Sequence, residues 1–328
     1  LSLNDSVLTA RDLRVEFGLP GGRVARAVDG VDLDVAPGEI VALAGESGCG
    51  KTTLARTLLG LERATGGTVA FGGEPLRYST RALKAFRRRV QLVLQDPSGA
   101  LNPRHTVYDA VAEGLRIHGI RDDEPGRVAD ALSRAGLRPP EQFFLAYPHE
   151  LSGGQRQRVV IAGALVLQPS LLVADEPVAS LDASVRGEIL QLLLRLKEEQ
   201  GLGALVITHD LGLAWSIADR IAIMYLGRIV EQGPVERVLT EPRHPYTRAL
   251  VSVLPESPVP DPIVLAGELP DASKIPGGCR FRPRCQEVAS GNAAAVLHRC
   301  EGEDPEVLGP EAKTHLVACH LERARMAV

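Results

Sequence analysis

An α/β fold is predicted by three apolar, strand-like runs, each of which ends in residues that carry chemistry. The first, Ile40-Val41-Ala42-Leu43-Ala44, runs into Gly45-Glu46-Ser47-Gly48-Cys49-Gly50-Lys51-Thr52-Thr53 and then into a helix-forming stretch at 54–61. The second, Leu171-Leu172-Val173-Ala174, ends in Asp175-Glu176, and the third, 204–207, ends in Thr208-His209-Asp210. Continuous apolar runs of this length are the mark of strands buried on both faces, and in open α/β sheets ligands gather at the carboxyl ends of such strands.

The first run carries the most specific signal. A strand, then G-x-x-x-x-G-K-[ST], then a helix is the context in which a phosphate-binding loop forms. Its glycines let successive backbone N–H groups turn inward, and the helix that follows adds its own unpaired N–H groups and positive end. Lys51 is expected to reach the β- and γ-phosphates of a nucleotide, and the Thr52 hydroxyl to bind Mg²⁺. Asp175 is expected on the Mg²⁺ side. Glu176, one position on, suits a base that orients and partly deprotonates an attacking water. His209, also at a strand end, is expected to contact the γ-phosphate.

The remaining elements follow in order. Residues 11–17 alternate polar and apolar like a half-buried strand, Gly18 to Gly22 turn, and 28–35 forms a second strand. This small antiparallel sheet presents Phe17, which either stacks on a base or simply packs its ring. Residues 66–73 read as a short strand between glycine turns, and 80–89 as a basic helix whose charged face is either solvated or a partner contact. The next strand, 90–94, leads to Gln95-Asp96-Pro97, where the proline forces the chain out and the Gln95 amide can sense Mg²⁺ or water. Residues 106–138 read as an inserted helical subdomain broken by a charged loop at 121–126. Helices are expected at 156–167 and 185–199, and a hairpin around Gly227 closes this part near residue 235. Residues 255–276 are a proline-rich linker.

Composition restricts the function. With 37 Lys plus Arg against 41 Asp plus Glu, the formal charge of −4 gives no argument for nucleic acid or for an anionic membrane surface. No run of 18 apolar residues and no signal-like N-terminus is present, so the expected location is cytoplasmic, with any membrane link made through a partner.

Before the helix at 156–167 stands Leu151-Ser152-Gly153-Gly154-Gln155, a second anion-binding helix start in the same chain. One nucleotide needs only one such nest, so two chains pairing head to tail, each closing the other's nucleotide, are expected. Ser180-Leu181-Asp182 precedes the helix at 185–199, and Asp182 either caps that helix or bridges to the opposing chain.

Taken together, the phosphate loop, Gln95, the signature at 151–155, Asp175-Glu176, Ser180-Leu181-Asp182 and His209 resemble the ATP-binding subunit of an ABC transporter over residues 8 to about 235. The resemblance implies a P-loop NTPase core of the ABC ATPase type with an antiparallel β subdomain and a helical subdomain. It divides the chain into 1–95, 96–160, 161–235 and a C-terminal extension, 236–328. Phe17, the loop Gly45 to Thr53, Ser152, Gly153, Gly154, Gln155 and Asp182 become the nucleotide contacts, with Thr52, Gln95 and Asp175 around Mg²⁺. Lys51, Gln95, Glu176 and His209 become the catalytic set. Val178 stands where the family usually has threonine, and Ala179-Ser180 replaces the common Ser-Ala; neither removes a phosphate or water ligand.

The tail resembles the extension of oligopeptide and dipeptide importer ATPases, through Glu241-Pro242-Arg243-His244-Pro245-Tyr246, Gly278-Cys279-Arg280-Phe281-Arg282-Pro283-Arg284-Cys285 and Val317-Ala318-Cys319-His320. That resemblance implies a second, different ATPase chain, two transmembrane permease subunits and an extracytoplasmic peptide-binding protein, at the cytoplasmic face of the membrane. Nickel and sugar importers share the extension and are the alternatives for cargo. An exporter, and an ABC ATPase acting on nucleic acid or ribosomes, are disfavoured by the tail, the single phosphate loop and the ordinary helical insertion. Cys279, Cys285, Cys300 and Cys319 lack a C-x₂-C pair, which weakens a zinc ribbon but leaves zinc, an iron–sulfur cluster, or unliganded or disulfide-bonded cysteines open. Some members of the resembled subfamily hold a [4Fe-4S] cluster with these cysteines, so that cluster is the expectation and zinc the alternative. His298, His315 and His320 are the reserve ligands.

Overall fold

Glycine turns and helix caps set the element boundaries in the computed structural model, which describes residues 7–179, 181–255, 257–307 and 315–326. In chain order, β1 (Leu8–Leu19), β2 (Arg23–Val35) and β3 (Ile40–Ala44) lead to α1 (Lys51–Leu58), β4 (Gly66–Phe71) and β5 (Glu74–Pro75). Next come α2 (Thr80–Arg89), β6 (Val90–Val93), α3 (Pro97–Ala100), α4 (Val107–His118), α5 (Glu124–Arg134) and α6 (Gly153–Leu165). Then follow β7 (Leu171–Asp175), α7 (Ala183–Gln200), β8 (Gly203–Thr208), α8 (Leu211–Ile217), β9 (Arg220–Tyr225), β10 (Arg228–Pro234), α9 (Val235–Thr240) and α10 (Pro245–Ser252). The tail contributes α11 (Gln286–Ala289), α12 (Leu297–Gly302), β11 (Leu316–Val317) and α13 (His320–Met326).

The chain divides into two compact units, one drawn mainly from Asp34–Ile40 and Ala70–Ile207, the other from Ala10–Leu33, Val41–Val69 and the chain from Thr208 onward. In the first unit β6, β7 and β8 run parallel, with Val90 opposite Leu171 and Asp175 opposite Ile207. Leu171, Leu172, Val173 and Ala174 are fully buried, as their unbroken apolar run requires. The inserted helices α4 and α5 pack on α6. The expected charged loop ends earlier than 126, because Asp123 caps α5 through Gly126 N–H and the helix begins at Glu124. On the basic helix α2, Arg89 lies over the Phe71 ring at 4.6 Å, so part of its charged face is used in packing.

In the second unit β3 runs parallel to β9, and β9, β10 and β11 are joined antiparallel. The expected strand at 28–35 begins earlier, at Arg23. The expected helix at 54–61 begins and ends three residues earlier, as α1: Gly50 caps it in a left-handed conformation that lets the helix start directly at Lys51. The proline-rich stretch holds no helix or strand among its described residues. Among the described residues, no helix is long and apolar enough to cross a membrane.

Candidate functional site

The phosphate loop belongs to the second unit, between the fully buried strand β3 and α1. Lys51 is 8 % exposed, and its Nζ donates to the carbonyls of Gly45 at 2.7 Å and Glu46 at 2.9 Å, which keeps the ammonium inside the curl of the loop. Cys49 is buried beside it, Sγ 3.8 Å from Nζ, and burial pushes its thiol pKa up, so it fills space rather than supplying a thiolate. Thr52 is exposed at the first turn of α1. A hydroxyl oxygen there is a hard donor of the kind Mg²⁺ prefers. Phe17, on β1, is 39 % exposed and retains a face for stacking. His209, directly after β8, is exposed.

Two loop contacts had no signal in the local sequence. The Glu46 N–H donates to Tyr246 Oη at 2.8 Å, and the Glu46 carboxylate takes both Nη1 and Nη2 of Arg284, at 2.6 and 3.1 Å. Glu46 is among the expected nucleotide contacts, and its amide and side chain meet the C-terminal extension. Finding this from sequence would require pairing residues 200 and 238 positions apart.

The first unit carries the acids and the signature. Asp175 ends β7, and Glu176 follows at φ +47, a left-handed conformation uncommon for a residue with a side chain. That turn is pinned by the Glu176 N–H donating to Ile207 O at 2.9 Å, and Gln95 Nε2 donates to Glu176 Oε2 at 2.9 Å. Gln95 and Glu176, 81 positions apart, are thus in direct contact. With Nε2 given to Glu176, the Gln95 amide oxygen remains as an acceptor for a cation.

Ser152 caps α6. Its hydroxyl accepts from Gln155 N–H at 3.2 Å while Gln155 Oε1 accepts from Ser152 N–H at 2.9 Å, a reciprocal capping box. A Cβ on Gly154 would stand 2.5 Å from Val185 Cγ1, so glycine is required there for packing, and one on Gly153 would meet Leu181 at 3.7 Å. Asp182 caps α7: its carboxylate accepts from Val185 N–H at 3.1 Å and from Ser184 Oγ at 2.9 Å, and these bonds lower its pKa. Asp182 thus fills the capping role. Ser180 lies outside the described residues.

In the second unit Cys279, Cys285, Cys300 and Cys319 line one cavity, together with His244, Phe281 and His320 among others. All four are free thiols, and burial raises each pKa, that of Cys279 to about 12 with the other three cysteines adding to the rise, and that of Cys319 to about 11. His244 is fully buried and held neutral, its pKa brought down to about 4 by burial, and its Nδ1 accepts from Tyr246 N–H. Among the described residues no group of three or more His, Cys, Asp or Glu is arranged to hold a metal ion, so neither the expected cluster nor the zinc alternative has geometric support from the ligand spacing. Of the reserve ligands, His320 lines the cavity and His315 is instead paired with the buried Glu231.

A lysine-bearing loop between a buried parallel strand and a helix defines a P-loop nucleoside triphosphatase. The ABC transporter family model matches residues 28–179, and the model for the oligopeptide/dipeptide transporter C-terminal region matches 230–291. A putative oligopeptide transport ATP-binding protein of Bacillus subtilis is 42 % identical over 97 % of this chain and 96 % of its own. The oligopeptide transport ATP-binding protein OppF of Escherichia coli is 42 % identical over 90 % of this chain and 93 % of its own. Among solved structures, the ATP-binding cassette MJ0796, a dimer in a post-hydrolysis state bound to ADP and Pi, matches with a TM-score of 0.62 and 29 % identity over 70 % of this chain and 98 % of that one. The chain belongs to the ABC-transporter ATPase family, as an ATP-binding subunit closely related to oligopeptide and dipeptide import ATPases. It binds and hydrolyses ATP.

Proposed function

We propose that this chain powers the uptake of peptides as one of two ATPase subunits beneath a pair of permease subunits, which receive cargo from an extracytoplasmic peptide-binding protein. The observation that carries the reading is the match of 230–291 to the oligopeptide/dipeptide C-terminal region, joined to a complete set of hydrolytic motifs. The chain then sits peripherally on the cytoplasmic face of the membrane, and the four parts 1–95, 96–160, 161–235 and 236–328 serve as functional divisions.

In this reading Lys51 neutralises the β- and γ-phosphates, Thr52, Gln95 and Asp175 supply oxygens to Mg²⁺, and Phe17 stacks on the base. Glu176 accepts a proton from the attacking water, and His209 contacts the γ-phosphate. Mg²⁺ lowers the charge on the phosphates when bound. Ser152, Gly153, Gly154, Gln155 and Asp182 face the nucleotide of the other ATPase chain. Purified with its neighbouring permease and binding-protein subunits, the ATPase is expected to be stimulated several-fold by peptides and not by nickel or sugars; stimulation by nickel or a sugar alone would replace the peptide reading.

We also propose that Cys279, Cys285, Cys300 and Cys319 hold a [4Fe-4S] cluster. The support for this reading is four soft sulfur donors lining one cavity, the donor type that such clusters take. Once bound, the cluster would join four points of a tail too poor in regular structure to build a large core. Anaerobically purified protein is expected to be brown, with about four iron and four sulfide per chain, and Cys300→Ser to lose most of both and to melt at a lower temperature. Colourless protein with stoichiometric zinc would overturn the cluster.

A further inference from the structure

The C-terminal extension reaches the phosphate loop by two routes, both within the second unit. Arg284, with only 6 % of its side chain exposed, makes a two-pronged ion pair with Glu46, donates Nε to Ala266 O at 3.1 Å, and lies over the Tyr225 ring at 5.9 Å. The Glu46 contact raises its already high pKa, so the guanidinium is charged at every accessible pH. Beside it the fully buried Tyr246 accepts the Glu46 N–H, and Tyr246, Tyr225 and Phe281 pack ring against ring at 4.8 to 5.5 Å.

The second route runs through Arg280. It pairs with Asp29, where burial acts to raise the pKa but the Arg280 bond and charge, with the charges of Arg228 and Arg26, together bring it below the usual range, and it donates to Leu226 O at 2.7 Å. The next residue, Gly227, donates its N–H to Cys49 O at 2.8 Å. The loop is therefore braced at Glu46 and at Cys49, one on each side of Ser47-Gly48. A carboxylate at position 46 would repel a polyphosphate in the loop unless a cation neutralises it and draws it aside, and Arg284 is that cation.

We propose that Arg284 is a positioning residue for ATP binding: from the C-terminal extension it holds Glu46 away from the phosphates and keeps the loop in its phosphate-receiving curl. This goes beyond the transport reading and requires only that the loop binds ATP. Arg280 and Arg284 adjoin Cys279 and Cys285, so the same segment links the cysteine cavity to the loop.

The test is carried out on the full chain in a Glu176→Gln background, with Mg²⁺–ATP titrated by calorimetry. Arg284→Gln is expected to raise Kd about tenfold, from loss of a charged hydrogen-bond pair and release of the Glu46 carboxylate toward the phosphates. Arg284→Lys should recover part of the loss. In the hydrolysing protein KM should rise with kcat changed less than about threefold, since no reacting atom is touched. Adding Glu46→Gln to Arg284→Gln should restore affinity in part, because the unpaired carboxylate is removed; a purely structural role would make the double variant no better than the single one. An unchanged Kd, or a loss tracking melting temperature alone, overturns the proposal. Should Arg284→Gln fail to fold, Arg284→Lys decides: a raised Kd at unchanged melting temperature supports the latch, and an unchanged Kd removes it. Iron measured on the same samples keeps the two proposals apart, since normal iron with weak ATP binding supports the latch while colourless protein with normal ATP binding sinks only the cluster.

Discussion

Replacing Glu176 by Gln is expected to lower ATP turnover by at least about 10²-fold while ATP binding is retained, the loss that follows from removing a general base. The substitution is informative because it is nearly silent in shape. Gln95 Nε2 donates to Glu176 Oε2, and a glutamine at 176 can present its amide oxygen to the same donor. The Glu176 N–H to Ile207 bond is a backbone contact and survives, as does the left-handed turn at φ +47, which a glutamine tolerates as well as a glutamate. What disappears is the carboxylate's ability to take a proton. Phosphate release and ATP affinity measured on the same preparation check the result; near-normal turnover would remove Glu176 from the role of base.

That prediction rests on residues legible in the chain, and the reason is local. The strand, the loop and the carboxylates are read from short apolar runs and the residues that end them, so β3 and α2 have the bounds expected and β7 differs by a single residue. Local physics left open whatever a distant segment decides. Asp182 could cap or bridge, and only the placement of Val185 N–H and Ser184 shows it capping. Glu46 looked like one more loop position, because its partners Tyr246 and Arg284 stand beyond the proline-rich stretch or next to it, where no periodicity connects them. The four cysteines lacked the close pairs that mark a zinc ribbon, and their common cavity follows from how the short helices of the tail pack. The helix α1 was placed late because the left-handed cap at Gly50 is a backbone property that hydrophobic pattern does not reveal.

Gly50 carries the other large effect. Gly50→Ala is expected to abolish measurable ATP binding, whereas Gly48→Ala, two positions earlier in the same loop, should weaken it far less. Both glycines have positive φ, +113 at Gly50 and +81 at Gly48, so each alanine bears a conformational cost of about 1–2 kcal/mol. The difference lies in the space around them. A Cβ on Gly48 would meet only Leu269 Cδ2 at 3.8 Å, an ordinary contact. On Gly50 it would stand 2.1 Å from Ala27 O and 2.8 Å from Met224 Cε. A methionine side chain can move aside, but the Ala27 carbonyl belongs to β2 and cannot retreat without disturbing that strand. The loop must move instead, and since Gly50 caps α1 and precedes Lys51, that movement displaces the lysine and the helix start together. ATP titration and thermal melting of the two variants check the contrast: comparable affinities for Gly48→Ala and Gly50→Ala would mean that the close approach of β2 does not constrain the loop.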